Sequence, residues 1–120
     1  MRKRAKSRAT IDKADKALQN YFRTRFPSEI CEVCGKKAEV RHHHIEKSKS
    51  NFLRFHGDNL IALCHFCHSK IIFGDHQIVA IYSIGRGRAW LDKISELRKV
   101  KKQYYTKKEL EKLIEAYGTD

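Results

Sequence analysis

Apolar residues fall at helical spacing near both ends of the chain and alternate only briefly in its middle. Ile11, Ala14, Leu18, Tyr21 and Phe22 mark a helix that starts at Thr10, and Pro27 stops it. Residues 1–9, ahead of that stripe, read as a flexible arm. A tight turn is expected at Cys31-Glu32-Val33-Cys34-Gly35, then a strand over residues 38–45 and a polar loop through Ser48, Lys49, Ser50 and Asn51. Residues 59–63 suit a second short strand, and a helix runs from about Cys67 to Gly74. The remainder reads as helical, with a break at Ile84-Gly85-Arg86-Gly87. Trp90, Leu91, Ile94, Leu97 and Val100 line one amphipathic helix. The last helix opens on Thr106-Lys107-Lys108-Glu109, a capping box in which hydroxyl and carboxylate satisfy amides at the helix start. Leu110, Leu113, Ile114 and Tyr117 form its buried stripe, and Gly118 ends it.

This pattern divides one domain into an arm (1–9), an N-terminal helix (10–30), a central unit (31–74) and a helical extension (75–120). The class is α+β. With 120 residues, 41% hydrophobic and 33% charged, the core must be small, and a structural metal would help it fold. The longest clean apolar runs, residues 60–64 and 78–82, fall far short of the roughly 20 a spanning helix needs. No apolar stretch follows the basic N-terminus, so a secretory signal is not expected and a cytoplasmic site is.

Charge adds a partner. Twenty-six Lys and Arg against 14 Asp and Glu give +12, a balance that suits a polyanion, nucleic acid above all. Arg2, Lys3, Arg4, Lys6 and Arg8 in the arm, with Lys99, Lys101 and Lys102 beyond the long helix, are the candidate phosphate contacts.

In a reducing compartment four cysteines need a reason other than disulfides. Cys31-x2-Cys34 and Cys64-x2-Cys67 are pairs spaced so that both thiolates of each can reach one ion, and zinc takes a tetrahedron of thiolates in structural sites. The 29 residues between Cys34 and Cys64 exceed the usual ribbon spacing, so something sizeable is inserted. A redox CxxC would need a thioredoxin-like βαβ setting, and none is visible.

The insert carries His42-His43-His44-Ile45 and Gly57-Asp58-Asn59-Leu60, and His68 follows the second cysteine pair. His43-His44-Ile45, Asn59-Leu60-Ile61-Ala62-Leu63-Cys64 and Cys67-His68 resemble the HNH endonuclease signature across about residues 31–74. That resemblance implies a ββα-metal unit, in which a hairpin and a following helix grip one divalent ion. It further implies a treble-clef-like structural zinc site, with flanking N- and C-terminal helices added here. By position, His44 resembles the general base, His43 and His68 the metal ligands, and Asn59 the asparagine that ties down the loop and orients the base. The catalytic ion stays open among magnesium, manganese, nickel and zinc. The chemistry fits these residue types: a neutral imidazole can deprotonate water at physiological pH, while a Lewis acid assists at a phosphate oxygen.

Two departures stand out. The third histidine that some members carry one turn further on is Ile72 here, and Glu46-Lys47-Ser48 replaces the usual proline. Strand alternation would also put His43 and His44 on opposite faces, so the strand must end irregularly there. A register shifted to His42-His43 stays open, with His42 otherwise a neighbour without a catalytic part. His56, His65 and His76 read as surface or structural residues, Gly85-x-Gly87 as a helix break, and Phe52-Leu53-Arg54-Phe55 as core rather than a stacking platform.

More loosely, Phe52-Leu53-Arg54-Phe55, Asp58-Asn59, the second cysteine pair, Gly74 and Ile84-Gly85 are similar to phage NinG (Rap) recombination proteins. That similarity implies a structure-specific nuclease acting on branched intermediates in a bacterial or phage-infected cell. The expected function is metal-dependent hydrolysis of DNA phosphodiesters. The alternative is a zinc-dependent nucleic-acid-binding module without catalysis. DNA is the expected partner and membrane is not. A second copy of the chain, or recombination or packaging proteins, stay open as further partners.

Overall fold

The middle of the chain folds back as a short antiparallel hairpin. Strand β1 (Val40–His43) pairs with β2 (Leu60–Leu63), Val40 opposite Leu63 and His43 opposite Leu60. The computed structural model describes residues 2–47, 49–102 and 104–118, with the backbone alone for 2–8 and 118. Six α-helices, one 3-10 turn and this two-stranded sheet make a small α+β fold among the described residues: α1 (Arg2–Arg25), α2 (Asn51–Arg54), the turn Gly57–Asn59, α3 (His65–Ile72), α4 (Gln77–Arg86), α5 (Arg88–Arg98) and α6 (Lys107–Gly118). No helix among the described residues is long and apolar enough to cross a membrane.

All four β2 residues are buried, because the hairpin is covered on both faces. Ile61 and Leu63 face a cluster with Cys31, Cys64, Cys67, Ile78 and Tyr82. Leu60 joins a second cluster with Ala14, Leu18, Phe55 and Leu110, where α1 and α6 pack together. The terminal helices, distant in sequence, thus close one face of the hairpin, and α4 and α5 close the other.

Several boundaries differ from the expectation. The arm expected at residues 1–9 is helical from Arg2 onward, because Arg, Lys and Ala favour helix and no Gly or Pro interrupts them. The side chains of Arg2, Lys3, Arg4, Lys6 and Arg8 lie outside the described residues. The strand expected over 38–45 keeps only four residues, since Asn59 captures the backbone of Ile45. The polar loop contains α2, whose start Ser50 caps by accepting from the Leu53 amide. Helix α3 begins two residues earlier than expected because the Cys64 sulfur accepts from the Cys67 amide. The capping box of α6 forms as expected, Thr106 and Glu109 each accepting the other's backbone N–H. At Gly87, φ of 91° lets the chain break between α4 and α5 without strain.

Candidate metal centre and histidine cleft

The first cysteine pair sits on a knuckle closed by Cys31 N donating to Lys36 O (2.6 Å) and Gly35 N to Cys31 O (3.0 Å), with Ile30 bridged to Lys37. Gly35 takes φ of 79°, a left-handed conformation that lets the knuckle turn. The second pair spans the start of α3. Although 29 residues separate them in the chain, the pairs converge: all four sulfurs lie within 4.8 Å of one another, and Cys34 and Cys64 sulfurs are 3.5 Å apart. A tetrahedral zinc with bonds of about 2.3 Å needs sulfurs about 3.8 Å apart, so the four cysteines could hold such an ion. Burial pushes the Cys31 thiol up, but backbone hydrogen bonds at Cys34, Cys64 and Val33 outweigh it and bring the group to about 7. Burial and then the neighbouring sulfurs push the Cys67 thiol well up, and Cys34 is raised too, so the four thiols do not ionise alike. Among the described residues this is the one set of three or more such groups close enough to share an ion.

Beside it lies a cleft of about 460 Å³ between α1, β1 and α3, lined by His42, His43, His65 and His68 with Arg23 and Lys47. Helix α1 forms one wall. The Gln19 amide exchanges hydrogen bonds with both backbone groups of Arg41 (2.8 and 2.9 Å), pairing with the free edge of β1 like a strand. The buried Arg41 guanidinium reaches the end of α1, donating to Phe22 O and lying 3.7 Å from Glu29.

The three histidines of the run have three surroundings. The His42 ring lies against His68, centroids 5.3 Å apart. His43 turns the other way, its Nε2 2.8 Å from the Arg54 carbonyl at the end of α2. His44 lies on the His42 side but beyond the cleft, its Nδ1 2.7 Å from the buried Tyr82 hydroxyl and its ring 4.9 Å from Trp90. The grouping expected from the motif, His44 with His43 and His68, is therefore not what the fold assembles. His42 and His43 line the cleft with His68, and His44 packs against α4 and α5. The reason is the pleat: His42 and His44 point alike and His43 opposes them, but only the first two residues sit alongside α1 and α3.

Asn59 ties the loop between the strands together. Fully buried, it accepts from Ile45 N (2.7 Å) and donates to Ile45 O (3.0 Å) and Leu53 O (3.2 Å), clamping both ends of the loop between the strands. Burial, with His68, His43 and His44 nearby, holds His42 down to about 4. Burial also depresses His43, His68 and His44, opposed at His43 by the Arg54 carbonyl. His42, His43 and His68 are thus held toward the neutral form, the state in which imidazole ligates metal or accepts a proton.

The extension braces this arrangement. Arg86 makes a bidentate pair with Glu32 in the knuckle (2.7 and 2.6 Å) and donates to Leu60 O, while Trp90 Nε1 donates to Asp58 O. In the sequence Gln19, Arg54 and Tyr82 carry no site role, and no local pattern marks one. Strand alternation puts His42 and His44 on one face but does not say which of them meets α3. Of the other histidines, His65 is exposed at the cleft edge beside Glu39, and His56 accepts from Asp58 N to start the 3-10 turn. Leu53 and Phe55 are buried, as core packing requires. Of the basic residues after α5, Lys99 pairs with Glu96, Lys102 with Glu109, and Lys101 is exposed. No protein-family model, curated protein or solved structure matches the chain.

Proposed function

We propose that this chain is a metal-dependent endonuclease of the HNH kind acting on DNA, with the roles shifted by one residue: His43 as general base, His42 and His68 as ligands of a divalent ion. The His43 ring carries the reading. A carbonyl oxygen can only accept, so Nε2 must hold the ring proton and Nδ1 the lone pair. A base needs its tautomer and orientation fixed in this way before it can take a proton from water. The facing rings of His42 and His68, both neutral and on the cleft, suit a divalent ion. Two imidazoles favour manganese, nickel or zinc over magnesium. When bound, the ion would supply Lewis acidity at a phosphate oxygen. Arg23, exposed at the cleft, would hold a flanking phosphate. The knuckle, hairpin and α3 around the four cysteines would serve as the treble-clef-like zinc site of this reading, and the Asn59 clamp supports it. Branched recombination intermediates are the substrate we favour, on the similarity to NinG proteins.

Cleavage of linear, nicked and four-way DNA under a series of metals tests the proposal. His43→Ala should lose about 10²–10⁴-fold in rate while keeping DNA affinity. His42→Ala should need more metal for half-maximal cutting. A His43→Ala protein as fast as the parent overturns the assignment. A parent that binds DNA but cuts none of the three leaves the binding module as the function.

A further inference from the structure

The carboxylate of Asp15, on α1, meets two residues from opposite ends of the loop that carries the His43 support. Its oxygens accept from Arg54 Nε at 3.1 Å and Arg54 Nη2 at 2.5 Å, and Lys47 Nζ lies 3.6 Å away. Arg54 and Asp15 are mostly buried, at 18% and 14% side-chain exposure, so water screens this bidentate pair less than a surface one. Arg54 is the last residue of α2, a helix of only four residues with little rigidity of its own. The Arg54 carbonyl is the group that holds His43 Nε2.

We propose that Asp15 is a positioning residue for the His43 ring, acting through Arg54. It anchors the end of α2 to the long, well-packed α1, on which Ala14 and Leu18, either side of Asp15, are fully buried. Asn59 fixes the neighbouring Leu53 carbonyl from below, and Asp15 fixes the Arg54 side chain from outside. Both contacts hold the end of α2, which carries the Arg54 carbonyl. The N-terminal helix is thereby part of the catalytic geometry and more than a cover for the core.

The inference rests on His43 being the base, and its test has one readout that needs no activity. In the full-length, zinc-loaded protein, the His43 ring Nε2–H should give a protected signal in proton–nitrogen NMR. In Asp15→Ala that signal should exchange away, and kcat should fall about 10–100-fold with KM within about twofold, as expected for a misplaced group. Asp15→Asn, which keeps the shape and one acceptor, should fall between the two and supplies the test if Asp15→Ala fails to fold. Asp12→Asn, exposed on the same helix, should match the parent in both readouts. A ring signal and kcat unchanged in both Asp15 variants would overturn the inference. If the parent cuts no DNA, the function proposed above fails, and the ring signal alone still decides whether Asp15 positions His43.

Discussion

His43 and His44 are adjacent in the chain, yet one ring is held by a backbone carbonyl and the other by a buried phenol. Burial drives the Tyr82 hydroxyl far above its ordinary pKa, so it stays protonated, and it shares a hydrogen bond with His44 Nδ1. That bond and the Trp90 contact make His44 a strut between the hairpin and α4–α5. His44→Ala should therefore keep cleavage within a few-fold of the parent. It should lose about 1–3 kcal/mol in a denaturant melt, because a buried hydroxyl is left without its partner. A dead but equally stable His44→Ala would return the base to His44.

Among the elements, α6 shows how a local signal becomes a tertiary contact. Its capping box begins a helix whose Leu110 is fully buried against α1. The Glu109 carboxyl is held down to about 2, first by the hydrogen bond from Lys102 and then by the Thr106 backbone. A carboxyl depressed on folding takes up its proton more readily in the unfolded chain, so its support is complete above the ordinary value of 4.5. As pH falls from there toward about 2, that support is lost. Amide-exchange protection of α6 in the parent should decline across this window relative to Glu109→Gln, which should already be less protected at pH 6. Parallel profiles in the two proteins would remove Glu109 from the account.

For the whole molecule, two clusters share one hairpin, and only one of them contains the cysteines. Chelating zinc should loosen the knuckle, the hairpin and α3, because four sulfurs cannot replace a core without their ion. Native mass spectrometry should find one tightly held zinc, weakened in Cys31→Ser. A chelated protein that stays metal-free with unchanged near-UV circular dichroism would contradict this. The basic excess acts at the same scale. Lys99 and Lys102 have acidic partners, so residues 2–8 should carry much of the phosphate binding. Deleting them should shallow the slope of log affinity against log salt, by roughly 0.9 for each phosphate no longer neutralised. An unaltered slope would exclude that segment from the DNA-binding surface.

The sequence by itself determined what is local. Cysteine spacing marked two knuckles, the Thr106–Glu109 box marked a helix start, and apolar stripes marked both terminal helices, since each needs only neighbours along the chain. The loop-tying part of Asn59 came from the resemblance to the HNH signature and not from the residue pattern, which put Asn59 at the start of a strand. Tertiary structure decided the rest. Which histidine of three faces α3 depends on where the pleat starts, a shift of one residue that reverses every side chain. That Gln19 seals the strand edge and that Asp15 reaches Arg54 follow from α1 lying along the hairpin, and that the Arg54 carbonyl meets His43 follows from the loop folding back onto β1. Those pairings join residues 11 to 39 positions apart, beyond the spacings that helix or strand periodicity relates.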